Sequence, residues 1–137
     1  MSYEITRKDR LCFNFVKAQE KYGVKEYDFI PDTYILPNEY NEFHAHFMQL
    51  QKSEPKRNTW IVKPANSSRG RGIHIIDDLN DLNYDEMSVI SRYIANPLLI
   101  NSHKFDLRIY VVVTSYEPLR VYIHQEGLAR FASATYT

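Results

Sequence analysis

Residues 7–21 place Leu11, Phe15 and Ala18 on one helical face, with Cys12 and Val16 beside them, so the spacing predicts a helix there. The stretch "YDFIPDTYILPNEY" reads as a connection, punctuated by Pro31 and Pro37. Asn38 stands where it would cap a second helix, along which Tyr40, Phe43, Phe47 and Leu50 keep helical spacing. "QKSEPKRN", residues 51–58, reads as a polar linker. From Trp60 the pattern shifts to short apolar or alternating runs, which predict strands at 59–63, 73–76, 88–93, 104–114, 119–125 and 128–132. "SYEPLR", with its turn-forming Pro118, should join the 104–114 and 119–125 strands as a hairpin. Helices first and a largely antiparallel sheet afterwards make the fold class α+β.

The 137 residues suit one domain or a piece of a larger one, and 44% hydrophobic residues with 11 Tyr and 7 Phe argue for a packed core rather than disorder. Formal net charge is zero, so neither a general nucleic-acid binder nor a membrane-surface binder is expected. The charge is unevenly placed, however. Residues 52–71 carry Lys52, Lys56, Arg57, Lys63, Arg69 and Arg71 against Glu54, whereas residues 72–91 carry Asp77, Asp78, Asp81, Asp85 and Glu86 with no Lys or Arg. The basic block coincides with a glycine-containing loop, which makes an anionic ligand plausible there. Cys12 is the single cysteine, which points to a reducing compartment. No apolar run approaches the ~20 residues of a membrane helix, and the charged "MSYEITRKDR" does not resemble a signal peptide.

Two stretches carry candidate chemistry. In "WIVKPANSSRGRGIHII", Lys63 precedes Gly70 and Gly72, and a strand follows rather than a helix. That order is wrong for a P-loop or a Rossmann turn. A strand–loop–strand hairpin can still fold over a triphosphate, with backbone N–H groups and Arg side chains on phosphate oxygens and Lys63 as a fixed ammonium. An ordinary mobile basic hairpin fits the same residues. In "HKFDLRIYVVV", alternation puts Lys104, Asp106 and Arg108 on one face and Phe105, Leu107 and Ile109 on the other, towards a core. The uniformly apolar Tyr110–Val113 makes this strand read as central. An Asp on a ribose hydroxyl and an Arg on phosphate would fit, and so would a solvated charge ladder contributing ~0–1 kcal/mol per pair. "VISRYIANP" reads best as an ordinary strand end, although its backbone could read a purine edge. Arg130 alternates with Ala129 and Phe131 on a short strand, where Glu126 could pair with it. The histidines show no metal spacing, Cys12 reads as core, and no Ser/His/Asp or Cys/His nucleophile arrangement emerges.

In order, "RKDRL" (7–11), "TWIVKPANSSRGRGI" (59–73), "VISRYIANPLLI" (89–100), "KFDLRIYVVVTSYEPLRVYI" (104–123) and "EGLARFA" (126–132) resemble the tubulin tyrosine ligase-like family of ATP-grasp ligases, with wording closest to its polyglutamylase branch. The resemblance implies an N-terminal helical edge segment at 1–58, a central ATP-grasp lobe with the phosphate loop at 59–103, and the start of a C-terminal lobe at 104–137. It implies ATP contacts from Lys8, Lys63, Ser68, Arg69, Gly70, Arg71, Gly72 and Ile73, from an adenine hinge at Ser91, Arg92, Tyr93 and Ile94, and from Lys104, Phe105 and Asp106, with Asp106 on the ribose. Lys63, Arg71 and Arg108 would stabilise the transferring phosphoryl group. Arg69 and Arg130 would bind the amino-acid substrate, Arg130 through a carboxylate.

The activity implied is ATP- and magnesium-dependent addition of free glutamate to glutamate side chains of tubulin tails through an acyl-phosphate. The setting would be cytoplasm and cytoskeleton, with the cilium or basal body as a further expectation. The partners would be tubulin and microtubules, with neither nucleic acid nor membrane. A glycine ligase of the same family and a non-catalytic microtubule-associated scaffold are the alternatives. The family's magnesium ligands are expected beyond Thr137, so residues 1–137 read as an incomplete catalytic region that does not ligate by itself.

Overall fold

The structure, a computed structural model, describes residues 3–67, 70–83 and 85–137. All strand pairings are antiparallel, and helices precede most of the strands, so the α+β reading holds. The chain forms two compact units, Met1–Ala95 and Asn96–Thr137.

The first unit begins with a short helix that was not expected, α1 (Tyr3–Thr6), and a longer one, α2 (Lys8–Tyr22), where the 7–21 helix was predicted. Strand β1 (Thr33–Leu36) then lies where a connection was expected. Helix α3 (Tyr40–Ser53) follows, with Phe43, Phe47 and Leu50 buried as their spacing predicts. Strands β2 (Trp60–Pro64), β3 (His74–Ile76) and β4 (Ser88–Arg92) complete a four-stranded sheet of order β1-β4-β2-β3. One face of the sheet carries the core cluster of Leu36, Trp60, Val62, Ile76 and Ile90 against Phe43, Phe47 and Leu50 of α3. Cys12 of α2 is buried as well.

The structure differs from two boundary expectations. Asn38 does not cap α3: it lies inside a turn closed by the Tyr40 N–H donating to the Pro37 carbonyl, and Glu39 takes the cap position without a side-chain cap bond. The 51–58 linker is largely structured, since α3 runs to Ser53 and a 3-10 turn spans Pro55–Arg57. The segment ends in Asn58, which is buried because its amide closes a polar network. Its Nδ2 donates to the Phe47 carbonyl (3.1 Å) and to Gln51 Oε1 (2.8 Å), and its Oδ1 accepts from the Trp60 indole (2.8 Å).

The second unit contains β5 (Leu99–Ile100), β6 (His103–Arg108), β7 (Val111–Tyr116), β8 (Leu119–Ile123) and β9 (Leu128–Phe131). The expected single strand at 104–114 is in fact two. β6 pairs with β5 and β9, whereas β7 forms the predicted hairpin with β8, so the chain changes partners at Ile109–Tyr110. Among the described residues, Tyr110–Val113 therefore do not belong to a central strand; β6 is the middle one, between β5 and β9. Leu107 (63% exposed) and Ile109 (58%) do not point into a core as expected, because no helix lies within this unit to cover its small sheets.

Gly127 sets the approach of β9. A Cβ at this position would fall 2.7 Å from the Arg108 carbonyl oxygen, a contact with backbone that cannot swing away. Gly127→Ala is therefore expected to destabilise the β6–β9 pairing by about 1–3 kcal/mol, the scale of overpacking. Chemical denaturation of the variant checks this, and an unchanged midpoint would contradict it.

Candidate functional site

Alternation along β2 sends Trp60 and Val62 into the α3 core and turns Lys63 to the other face of the sheet. There Lys63 lines a depression of about 280 Å³ with Lys8 of α2 and Ser91 of β4. Cys12, Thr33 and Val89 form much of its wall. Three sequence-predicted site residues, Lys8, Lys63 and Ser91, are thus brought together from three separate elements. Two ammonium groups in a largely apolar depression are the complement of an anion carrying an apolar or aromatic portion.

The loop from β2 to β3 begins beside this depression. β2 and β3 are the antiparallel arms of the predicted strand–loop–strand hairpin, with Trp60 opposite Ile76 and Val62 opposite His74. Gly70 (φ 75°) and Gly72 (φ 72°) both take left-handed backbone, which an L side chain adopts only at a cost. A Cβ on Gly72 would also press on the Pro64 ring at 3.0 Å. Ser67 braces the loop: its hydroxyl donates to the Arg71 carbonyl (2.8 Å), and its own carbonyl accepts from the Lys8 ammonium (2.9 Å). Lys8 thus holds the loop, a role the sequence reading did not give it, and an ammonium keeps two further N–H donors. Arg71 and Ile73 are exposed. The expected contacts from Ser68 and Arg69 lie outside the described residues.

At the expected adenine hinge, the Arg92 N–H donates to the Asp32 carbonyl (2.8 Å) and the Tyr93 N–H to the Thr59 carbonyl (2.8 Å). Those two donors are committed, so any reading of a purine edge falls to other groups, including the backbone of exposed Ile94. The Arg92 side chain ion-pairs with Asp32 and Glu54, both at 3.6 Å, in line with a structural role.

The wall residue Cys12 is chemically quiet. Burial pushes its thiol up to about 11, so at neutral pH it is protonated. Alkylation at pH 7.5 should run roughly tenfold or more slower than for free cysteine and should accelerate only as pH rises towards that value. Free-cysteine-like labelling at neutral pH would contradict the buried placement.

In the second unit, Asp106 and Arg130 face each other across β6 and β9. Arg130 Nε donates to Oδ1 (2.7 Å) and Nη2 to Oδ2 (2.6 Å), a two-point contact with both side chains more than half exposed. Arg130 therefore pairs with Asp106 and not with Glu126, because the register sets Asp106 directly opposite it. The Arg130 hydrogen bond, assisted by the charges of Arg130 and Arg108, holds the Asp106 carboxyl below its usual range. Lys104 lies over the Tyr136 ring at 5.6 Å, and Phe105 meets Phe131 at 5.8 Å. Lys104, Phe105, Asp106 and Arg130 line a second depression, of about 360 Å³.

The sequence reading missed Thr33, Val89 and Ser67 as site residues. Ser67 carried a signal, since a polar residue between a basic strand end and a glycine loop is placed to brace that loop. Among the described residues, no group of three or more His, Cys, Asp or Glu could hold a metal ion, and no helix is long and apolar enough to cross a membrane.

Comparison with known proteins finds relatives along nearly the whole chain. Tubulin polyglutamylase TTLL5 of Homo sapiens is 49% identical over 135 residues, covering 98% of this chain and 10% of its own length. Probable tubulin polyglutamylase TTLL2 of Homo sapiens is 47% identical over 131 residues, covering 95% of the chain and 22% of its own. Tubulin monoglutamylase TTLL4 of Homo sapiens is 43% identical over 136 residues, covering 99% and 11%. The chain therefore spans between a tenth and a quarter of the length of these relatives. The model of the tubulin-tyrosine ligase family matches residues 1–137, and the chain, with its lysine-flanked glycine hairpin, belongs to that family.

Proposed function

We propose that this chain is part of an ATP-dependent ligase that joins glutamate to glutamate side chains of tubulin tails, built on an ATP-grasp scaffold. The observation that carries the reading is the meeting of Lys8 and Lys63 in one depression beside a loop with two left-handed glycines. It is supported by the names of relatives 43–49% identical over nearly the whole chain.

In this reading Lys63 holds phosphate oxygens, and Gly70 and Gly72 let loop N–H groups approach them closely. Lys8 fixes the loop through Ser67 and adds positive charge. Ser91 to Ile94 border the base, Lys104 and Asp106 contact the nucleotide, and Arg130 takes a carboxylate of the incoming glutamate. Arg71 and Arg108 add charge where the phosphoryl group is transferred. A carboxylate oxygen of the acceptor glutamate attacks the γ-phosphorus, ADP leaves, and an acyl-phosphate forms. The amino nitrogen of free glutamate then attacks the acyl carbon, loses a proton and expels phosphate, leaving an isopeptide bond. Magnesium is expected to accompany ATP, and among the described residues no group of three or more His, Cys, Asp or Glu forms a site for it. The proposed setting is the microtubule cytoskeleton.

The test is stoichiometry in the full protein. ADP and phosphate should be released only when acceptor tubulin and glutamate are both present, with one ADP per glutamate incorporated. ATP turnover indifferent to both, or no nucleotide binding at all, would remove the ligase reading and favour a scaffold.

A further inference from the structure

The Asp106–Arg130 contact uses only part of what each group offers. A guanidinium has five N–H donors. Asp106 occupies the side edge formed by Nε and Nη2, and these are Arg130's polar partners among the described residues. The end edge, formed by Nη1 and the second Nη2 hydrogen, is left to accept a second carboxylate in the same two-point manner. Each Asp106 oxygen likewise accepts one hydrogen bond from Arg130 and keeps a lone pair for another donor. Both groups border the 360 Å³ depression, and more than half of each side chain is accessible. As a stabilising device so exposed a pair contributes little.

We infer that Asp106 is a positioning residue for the amino-acid substrate: it clamps the side edge of Arg130 so that the end edge is presented to the substrate carboxylate, while its remaining lone pairs serve the nucleotide ribose. This rests on the ligase reading and deepens it, since one carboxylate then serves both substrates. The Lys104–Asp106–Arg108 face and the Arg130 strand become a single device rather than two neighbouring contacts. The backbone supports it, because the cross-strand register fixes the pairing and Gly127 admits the close approach of β9.

The experiment is a double-substitution cycle in the full protein, with glutamate incorporation into tubulin measured at saturating ATP. Asp106→Asn should raise the KM for glutamate about tenfold or more, with a smaller effect on kcat, because a two-point clamp on Arg130 is lost. Asp106→Glu, which keeps a carboxylate, should recover part of that loss. In an Arg130→Ala background, Asp106→Asn should change the glutamate KM less than about twofold, since the two act as a unit. The thermal midpoint should stay within about 2 °C of the parent, as for an exposed pair. An unchanged glutamate KM in Asp106→Asn, or the same fold-change with and without Arg130, would overturn the inference while leaving the ligase reading intact. An unsubstituted protein that transfers no glutamate refutes the ligase reading, and the inference with it.

Discussion

Lys63→Ala is expected to weaken ATP binding to the full protein roughly tenfold to a hundredfold, the scale of one hydrogen bond to a charged group. Lys63 is the last polar residue of an otherwise apolar strand, and alternation gives it no choice but the face opposite the α3 core. On that face it shares the 280 Å³ depression with Lys8, and the glycine hairpin starts immediately after it. A strand fixes the Lys63 backbone more firmly than a loop would, so only the side chain has to be ordered on meeting a phosphate. Lys63→Arg should not restore full affinity, since a planar fork replaces a compact point charge. Lys56→Ala, on the exposed 3-10 turn, is the charge control and should leave affinity unchanged. Equal ATP affinity for Lys63→Ala and parent by calorimetry would contradict the phosphate role.

Trp60→Ala is expected to destabilise the protein by about 3–5 kcal/mol, a large part of a typical domain's total stability. Trp60 is fully buried and stands at the centre of the first unit's aromatic cluster. Its ring meets Phe43 edge-on at 5.0 Å, His46 at 5.6 Å and Tyr34 at 6.0 Å. Its removal leaves a large cavity, and it also strips Asn58 Oδ1 of the indole donor, leaving a buried acceptor without its partner. Trp60→Phe should cost less, because volume is mostly kept and only the indole bond is lost. A loss of unfolding free energy below about 1 kcal/mol for Trp60→Ala would mean that the core is not built around this ring. The same substitution is expected to impair nucleotide binding indirectly, since Lys63 rides on the same strand.

The parts of the molecule legible in the sequence are those governed by local periodicity. α2 and α3 follow from helical spacing, and the β2–loop–β3 hairpin follows from two apolar runs around paired glycines. β1 was hidden because its four residues lie between Pro31 and Pro37, and only Leu36 among them is fully buried, so no alternation stands out. The split between β6 and β7 was hidden for a different reason. The residue pattern runs on without interruption, and what changes at Ile109–Tyr110 is the partner strand, a long-range property. The Asp106–Arg130 pair is of the same kind. Each residue was picked out separately, but the register that opposes them is set by chain geometry around an intervening hairpin. Lys8 shows the converse: its place in the site was expected, and its bond to the Ser67 carbonyl was not.

In the proposed function the added amino acid is glutamate and the acceptor is tubulin. This is tested most directly by incubating the full protein with microtubules, ATP, magnesium and either labelled glutamate or labelled glycine, and measuring the label bound covalently to tubulin. ATP-dependent incorporation of glutamate and little of glycine is expected, with Arg130→Lys greatly reducing the glutamate signal because a fork is replaced by a point charge. Preferential transfer of glycine, or no covalent label with either amino acid, would contradict it.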